Sequence, residues 1–236
     1  MTDSKRLARA RGYPYAFPRT SFVYIDGAVR PFETNMTRGR TPVLAFGSNQ
    51  SPERLTQKFG HQAGHIIPVE RGKLQDFDVV FSAHLTNYGS IAAMLQVSKG
   101  AAVELAITWL ADDQLEIMHE TEISAANYFF GALENISLQR EHSAAVNTAY
   151  AYVGRRGHFL HEGDAVALSA VACDNRRLPG KTTAEMLEIV RQAHAPDHDP
   201  DGFILKVLDD PAYRDGLTAK LEETSVDFGH PVKPLA

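Results

Sequence analysis

The sequence predicts an α+β protein built on a small, mainly antiparallel β-barrel or closed sheet with flanking helices. Three observations carry this. Apolar or alternating segments of strand length crowd residues 42–155. Helical periodicity dominates the last fifty residues. Few strand–helix–strand units alternate as a parallel sheet would require. At 236 residues, 44% hydrophobic and 22% charged, the chain has the composition of one ordinary globular domain. It divides into an N-terminal extension, 1–40, and a single domain, 41–236, whose helical region begins near 181.

Each element has its local reason. Pro14, Pro18 and Pro31 exclude a helix through the segment they span. Ser21 to Ile25 reads as a strand, with Asp26-Gly27 as a hairpin turn. Pro42 to Phe46 is a further strand. Gly47-Ser48-Asn49 is a turn, and Ser51-Pro52-Glu53 opens a helix over 52–59, with Ser51 as N-cap and Pro52 in the first turn. Strands follow at 66–71, 77–84, 91–98 and 102–110. Asp112 or Asp113 caps a short helix that turns Leu115 and Met118 inward. Residues 127–138 and 147–154 are strands, with another around 165–171. Thr182 and Glu185 have capping-box spacing, and Met186, Ile189, Val190 and Ala193 share one helical face. Asp210-Pro211 begins a last helix carrying Tyr213, Leu217 and Leu221 on its inner side. No internal repeat or low-complexity tract is present.

The net charge of −5 gives no electrostatic drive toward nucleic acid. The basic run Lys5 to Arg11 reads as a solvated terminus. The single cysteine, Cys173, sits beside an apolar run and reads as buried filler. No segment has the roughly 20 apolar residues of a membrane span, and no signal peptide is evident. A cytoplasmic protein with no membrane and no nucleic-acid partner is therefore expected, and a homodimer is left open. His194, Asp197, His198 and Asp199 cluster in a Pro-rich stretch that reads as a solvated loop rather than a metal site. No metal is expected, because HExxH, CxxC, Walker and GxGxxG patterns are all absent.

Two stretches carry chemistry. In FGSNQSPERL, a strand meets a polar turn and then a helix N-terminus. That geometry aims several backbone N–H groups at one point and suits an anion or a carbonyl oxygen. In MHETE, Glu120 and Glu122 fall at a helix C-terminus, where the macrodipole and any burial would raise a carboxyl pKa toward that of a general acid/base. Taken alone, the same residues describe two solvated glutamates.

Together the two stretches resemble the γ-glutamylcyclotransferase-like family. That family has an aromatic-Gly-Ser-Asn turn after a strand, usually with Tyr first. A Phe-bearing strand, a Gly/Ala-rich strand and a Val-bearing strand come next, and then Leu-Asp-x-x-Glu-Gly with the catalytic Glu. Here the order is Phe46-Gly47-Ser48-Asn49, Phe77 and Phe81, YGSIAAML, AVELAITWL and MHETEI. The likeness spans approximately residues 41–155. Met118 stands at the Leu position, His119 at the Asp, Glu122 at the catalytic Glu and Ile123 at the Gly. Phe46, His119 and Ile123 depart from the family pattern.

The resemblance implies cyclisation of a γ-glutamyl compound. Its α-amine attacks its own γ-carbonyl, giving 5-oxoproline and a released amine or amino acid. It implies no cofactor. Glu122 would move the proton, with Glu120 as substitute if the register is shifted by two. Phe46, Gly47, Ser48 and Asn49 would cradle the γ-glutamyl group. Tyr128 and Tyr152 are candidates for the substrate carboxylate, and both also suit a core strand position. The alternative function is a non-catalytic protein of this fold that binds a small acidic metabolite or a partner.

Overall fold

The computed structural model describes residues 1–123 and 127–235. Its centre is a closed barrel of five strands: β3 (Thr41–Ala45), β4 (Ile66–Leu85), β5 (Ile91–Leu110), β6 (Tyr128–Arg140) and β7 (Val146–Gly154). β4 pairs with β5, β5 with β3, β7 with β6 and β6 with β4, all antiparallel. The remaining seam, β3 on β7, is parallel. The α+β class and the closed, mainly antiparallel sheet are as the sequence predicts. The hairpin β1 (Phe22–Ile25) and β2 (Ala28–Pro31) extends the sheet along β4, turning at Asp26 and Gly27 with φ of 45° and 86°.

Period-two alternation explains why the end of β3, Val43 to Ala45, is apolar at every position. Leu44 and Phe46 face one core with Leu105, Ile107 and Ala151. Val43 and Ala45 face a second core shared with Leu55 and Phe59 of helix α2 (Pro52–Phe59), Met118 of helix α3 (Asp112–Glu122) and Phe130. The strand is buried on both faces, and its exit toward α2 is therefore tightly fixed.

Several expectations are corrected. The four central strands are two, β4 and β5. Asp76, at φ 63°, marks the irregularity that looks like a break, and its Oδ1 accepts from the Gly100 amide at 2.7 Å. The basic N-terminus is helix α1 (Asp3–Arg11), packed on α4 (Thr183–His194) and on α5 (Pro200–Asp209), a helix the sequence reading missed. Arg6 pairs with Asp209 and Arg11 with Asp201 across that contact. The stretch read as a solvated loop is a largely exposed loop over 195–199, and it also caps α5, where Asp199 Oδ1 accepts from the Gly202 amide at 2.9 Å. Residues 165–171 form only the short strand Ala167–Leu168 and part of Asp164–Ala165. Ala111, not Asp112 or Asp113, precedes α3, and Gln114 Oε1 accepts from its amide at 3.1 Å. Leu115 and Met118 do turn inward.

The Ser51 hydroxyl makes no cap to α2 and is buried without a partner. Thr182 and Glu185 form the expected capping box, but Ala193 is exposed and Leu187 takes its place in the core. Helix α6 (Pro211–Glu222) lies against β4, where Thr218 Oγ1 accepts from the Leu85 amide at 3.2 Å. Cys173 is half-buried, and burial pushes its thiol up to about 11, which leaves it a poor nucleophile. No helix among the described residues is long and apolar enough to cross a membrane. Nor does any cluster of three or more His, Cys, Asp or Glu side chains among those residues form a metal site.

Candidate active site

A cavity of about 490 Å³ opens where β3 ends. Its walls come from the turn after β3, the start of α2, the β4–β5 turn, the end of α3, β6, β7 and α6, together with Tyr13 from the segment after α1.

The turn itself is shaped by packing. Tyr13 OH lies so close to Gly47 that any Cβ at 47 would run into it. The same hydroxyl accepts from the Ala93 amide at 3.1 Å, so Tyr13 cannot swing away without stranding a buried donor. After Gly47 the chain makes a single 3-10 turn, Ser48–Gln50. The N–H groups of Gly47, Ser48 and Asn49 donate to no protein acceptor among the described residues, and all three residues line the cavity. Amides without a protein acceptor, on consecutive residues that line one cavity, suit an anion or a carbonyl oxygen.

Glu122 lies across from this turn. Asn49 Nδ2 donates to Glu122 Oε1 at 3.3 Å, while Asn49 Oδ1 is buried without a partner. Lys58, whose side chain is 1% exposed, forms an ion pair with the same Oε1. Its ammonium also donates to Thr121 Oγ1 at 2.8 Å and meets Met118 Sδ at 3.1 Å. Glu122 Oε2 receives no donor from the described residues, which leaves it for a ligand.

The electrostatics differ from the sequence expectation. Burial works to raise the Glu122 pKa, but the Lys58 charge, the hydrogen bonds from Lys58 and Asn49, and the Arg54 charge outweigh it. The carboxyl is held below the usual carboxylate range. Lys58 is itself lowered, chiefly by burial. The free site therefore holds Glu122 as an anion.

Of the remaining predicted residues, Phe46 is buried in the cavity wall and Tyr128 lines the cavity with a hydroxyl that meets no protein partner among the described residues. Tyr152 also lines it, but its hydroxyl is taken by His119 Nδ1 at 2.9 Å. Glu120 is exposed and outside the cavity, and Ile123 packs into the α2–α3 core rather than filling the pocket. Sequence reasoning missed Lys58, Tyr13, Arg54, His84, Tyr88, Arg156 and Arg214. Arg54 and Lys58, four apart on a helix, were the one readable pair among them.

No family model matches the chain, and no curated protein matches it significantly. Solved structures similar to it include a gamma-glutamyl cyclotransferase at 14% identity, with 82% of this chain and 93% of that one covered and a TM-score of 0.38. A protein of Arabidopsis thaliana solved in solution is 17% identical over 50% of this chain and 70% of its own, with a TM-score of 0.37. An uncharacterized protein of Homo sapiens is 13% identical over 90% and 92%, also at 0.37. Likeness of this size carries no activity to this chain.

Proposed function

We propose that the cavity binds a γ-glutamyl compound and cyclises it to 5-oxoproline, releasing an amine or amino acid. The observation that carries this reading is the placement of Glu122 against the 47–49 turn, joined by the Asn49 hydrogen bond, on one ligand-sized cavity. The γ-carbonyl oxygen would sit on the free amides of the turn and the α-ammonium on Glu122 Oε2. The ammonium gives its proton to the carboxylate, and the freed amine attacks the γ-carbonyl carbon. The oxyanion forms against preorganised donors. The bond to the leaving nitrogen breaks as that nitrogen takes the proton back from Glu122, and the carboxylate then takes the second proton of the new ring nitrogen and passes it to the released amine, which departs as an ammonium. Atoms and charges balance without a further reactant.

The test is 5-oxoproline release from a panel of γ-glutamyl amino acids, γ-glutamyl amines and glutathione. Glu122→Gln should lose roughly 100-fold or more, the usual span of a general acid/base, while Glu120→Gln should not. Circular dichroism checks that both variants fold. Absence of product from every panel member overturns the reading.

One observation favours a second reading, a protein that binds such a compound without turning it over. The Lys58 pair keeps Glu122 charged, which suits an ammonium anchor better than a base. Calorimetric binding of the same panel without product would select it.

A further inference from the structure

A second cavity, of about 400 Å³, adjoins the first, and Arg54, Asn87 and Tyr88 line both. Arg6 and Arg9 of α1 complete the cationic side of the second cavity. The arginines here are not alike. Arg6 is paired with Asp3 and Asp209, Arg156 with Glu222, and Arg214 lies 4.0 Å from Asp215. Arg9 and Arg54 have no carboxylate within ion-pairing distance among the described residues. Both instead donate to one neutral oxygen, Gln57 Oε1, at 2.8 and 3.1 Å. The nearby carboxylate of Glu53 accepts from Gln57 Nε2 through Oε1 at 3.1 Å and forms no ion pair with either guanidinium. Each guanidinium also stands over the Tyr88 ring, at 5.7 and 5.9 Å from its centre, and Arg54 Nε is buried without a partner.

Two cations held to one neutral acceptor without a counter-ion repel each other, and an anion between them removes that cost. The anion's position relative to Glu122 is set by α2. Arg54 precedes Lys58 by four residues, about 6 Å along the helix axis, and Lys58 is bound to Glu122. Arg54 and Glu122 line the same cavity, so the leaving half of a substrate seated on Glu122 shares that space with the Arg54 guanidinium.

We propose that Arg9 and Arg54 form an anion subsite for the leaving half of the substrate. The site then favours γ-glutamyl amino acids or peptides, whose leaving half carries a carboxylate, over γ-glutamyl amines, whose leaving half does not. This rests on the γ-glutamyl reading above.

The test compares γ-glutamylalanine with γ-glutamylethylamine, which differ only by that carboxylate. Both kcat/KM for 5-oxoproline release and calorimetric Kd are measured on the full-length protein, Arg54→Gln and Arg9→Gln. The wild type should prefer γ-glutamylalanine by roughly tenfold or more, as a charge-assisted hydrogen bond gives. The preference should fall to about threefold or less in Arg54→Gln and drop in Arg9→Gln. Equal handling by the wild type, or a preference unchanged in both variants, overturns the subsite and leaves the γ-glutamyl reading standing. Binding with the carboxylate preference but without product keeps the subsite and removes the catalytic reading. Neither binding nor turnover of either compound removes both.

Discussion

Lys58 and Glu122 form a buried ion pair at the floor of the cavity, one partner from α2 and the other from the last residue of α3. Removing one member of such a pair leaves an uncompensated buried charge. Lys58→Met should destabilise the protein by about 3–5 kcal/mol, whereas replacing both residues by apolar ones should cost far less. Denaturant melts of Lys58→Met, Glu122→Leu and the double variant at pH 7 measure this. Additive losses would show that the two side chains are not coupled.

The same pair sets a pH dependence. Glu122 has a folded-state pKa below its unfolded one, so its contribution to stability is present above the unfolded value and lost as pH falls through the folded one. Lys58→Met should push the carboxyl up, because burial then acts with one cation fewer opposing it. The acid limb of any 5-oxoproline rate profile should move to higher pH in that variant. An unmoved limb would mean that the limb reports another group.

Gly47 and Tyr13 should be coupled. Gly47→Ala should cost about 1–3 kcal/mol through the clash with Tyr13 OH. Tyr13→Phe removes the clashing atom, since the next ring atom lies 3.5 Å from the added Cβ, but it strands the buried Ala93 amide at a cost of about 1–3 kcal/mol. Gly47→Ala should therefore cost less in the Tyr13→Phe background than in the wild type. A double-mutant cycle on thermal stability reads the difference directly.

That coupling shows where sequence reasoning stops. The barrel was legible because the stretches that became β3 to β7 are apolar or alternating runs of strand length, and β3 is buried on both faces. Helix α2 was legible because Pro52 and Glu53 mark its first turn. The 47–49 turn and Glu122 were legible through the family resemblance, which supplied the spacing between them. Tyr13 was not, because it reaches the turn from a segment far upstream that only the packing of α1 brings close. Lys58 was not, because a lysine on a short amphipathic helix reads as solvated until α3 is laid across it. The expected rise in the Glu122 pKa failed for that reason: burial was foreseen and the buried counter-charge was not.

His84 should dominate part of the acid sensitivity. Burial, aided by the charges of Arg156 and Arg214, pushes it down to about 4 from an ordinary value of 6.5. Between those values the unfolded chain binds the extra proton, so stability rises with pH across that window and is lost as pH falls from about 6.5 to about 4. His84→Gln should flatten that segment of the stability curve by about 1–3 kcal/mol, discounted for the partial exposure of the ring. Urea midpoints of both proteins at half-unit pH steps decide it, and parallel curves would exclude His84 as the source.

Tyr128 and Tyr152 both line the cavity, yet their hydroxyls differ. Burial keeps both neutral and pushes both upward, so each can act only as a hydrogen-bonding hydroxyl. The Tyr152 hydroxyl is committed to His119 Nδ1, and burial lowers His119, which keeps that nitrogen available as an acceptor at neutral pH. The Tyr128 hydroxyl has no such commitment. Tyr152→Phe should therefore act mainly on stability, by about 0.5–1.5 kcal/mol, because it removes one hydrogen bond between α3 and β7. Tyr128→Phe should act mainly on the ligand, weakening binding by roughly tenfold if its hydroxyl meets the substrate carboxylate. Melting temperatures and calorimetric Kd values for γ-glutamylalanine, taken on both variants, separate the two roles. The reverse pattern, with affinity lost in Tyr152→Phe and stability in Tyr128→Phe, would mean that ligand binding breaks the His119 bond and turns the Tyr152 hydroxyl into the cavity.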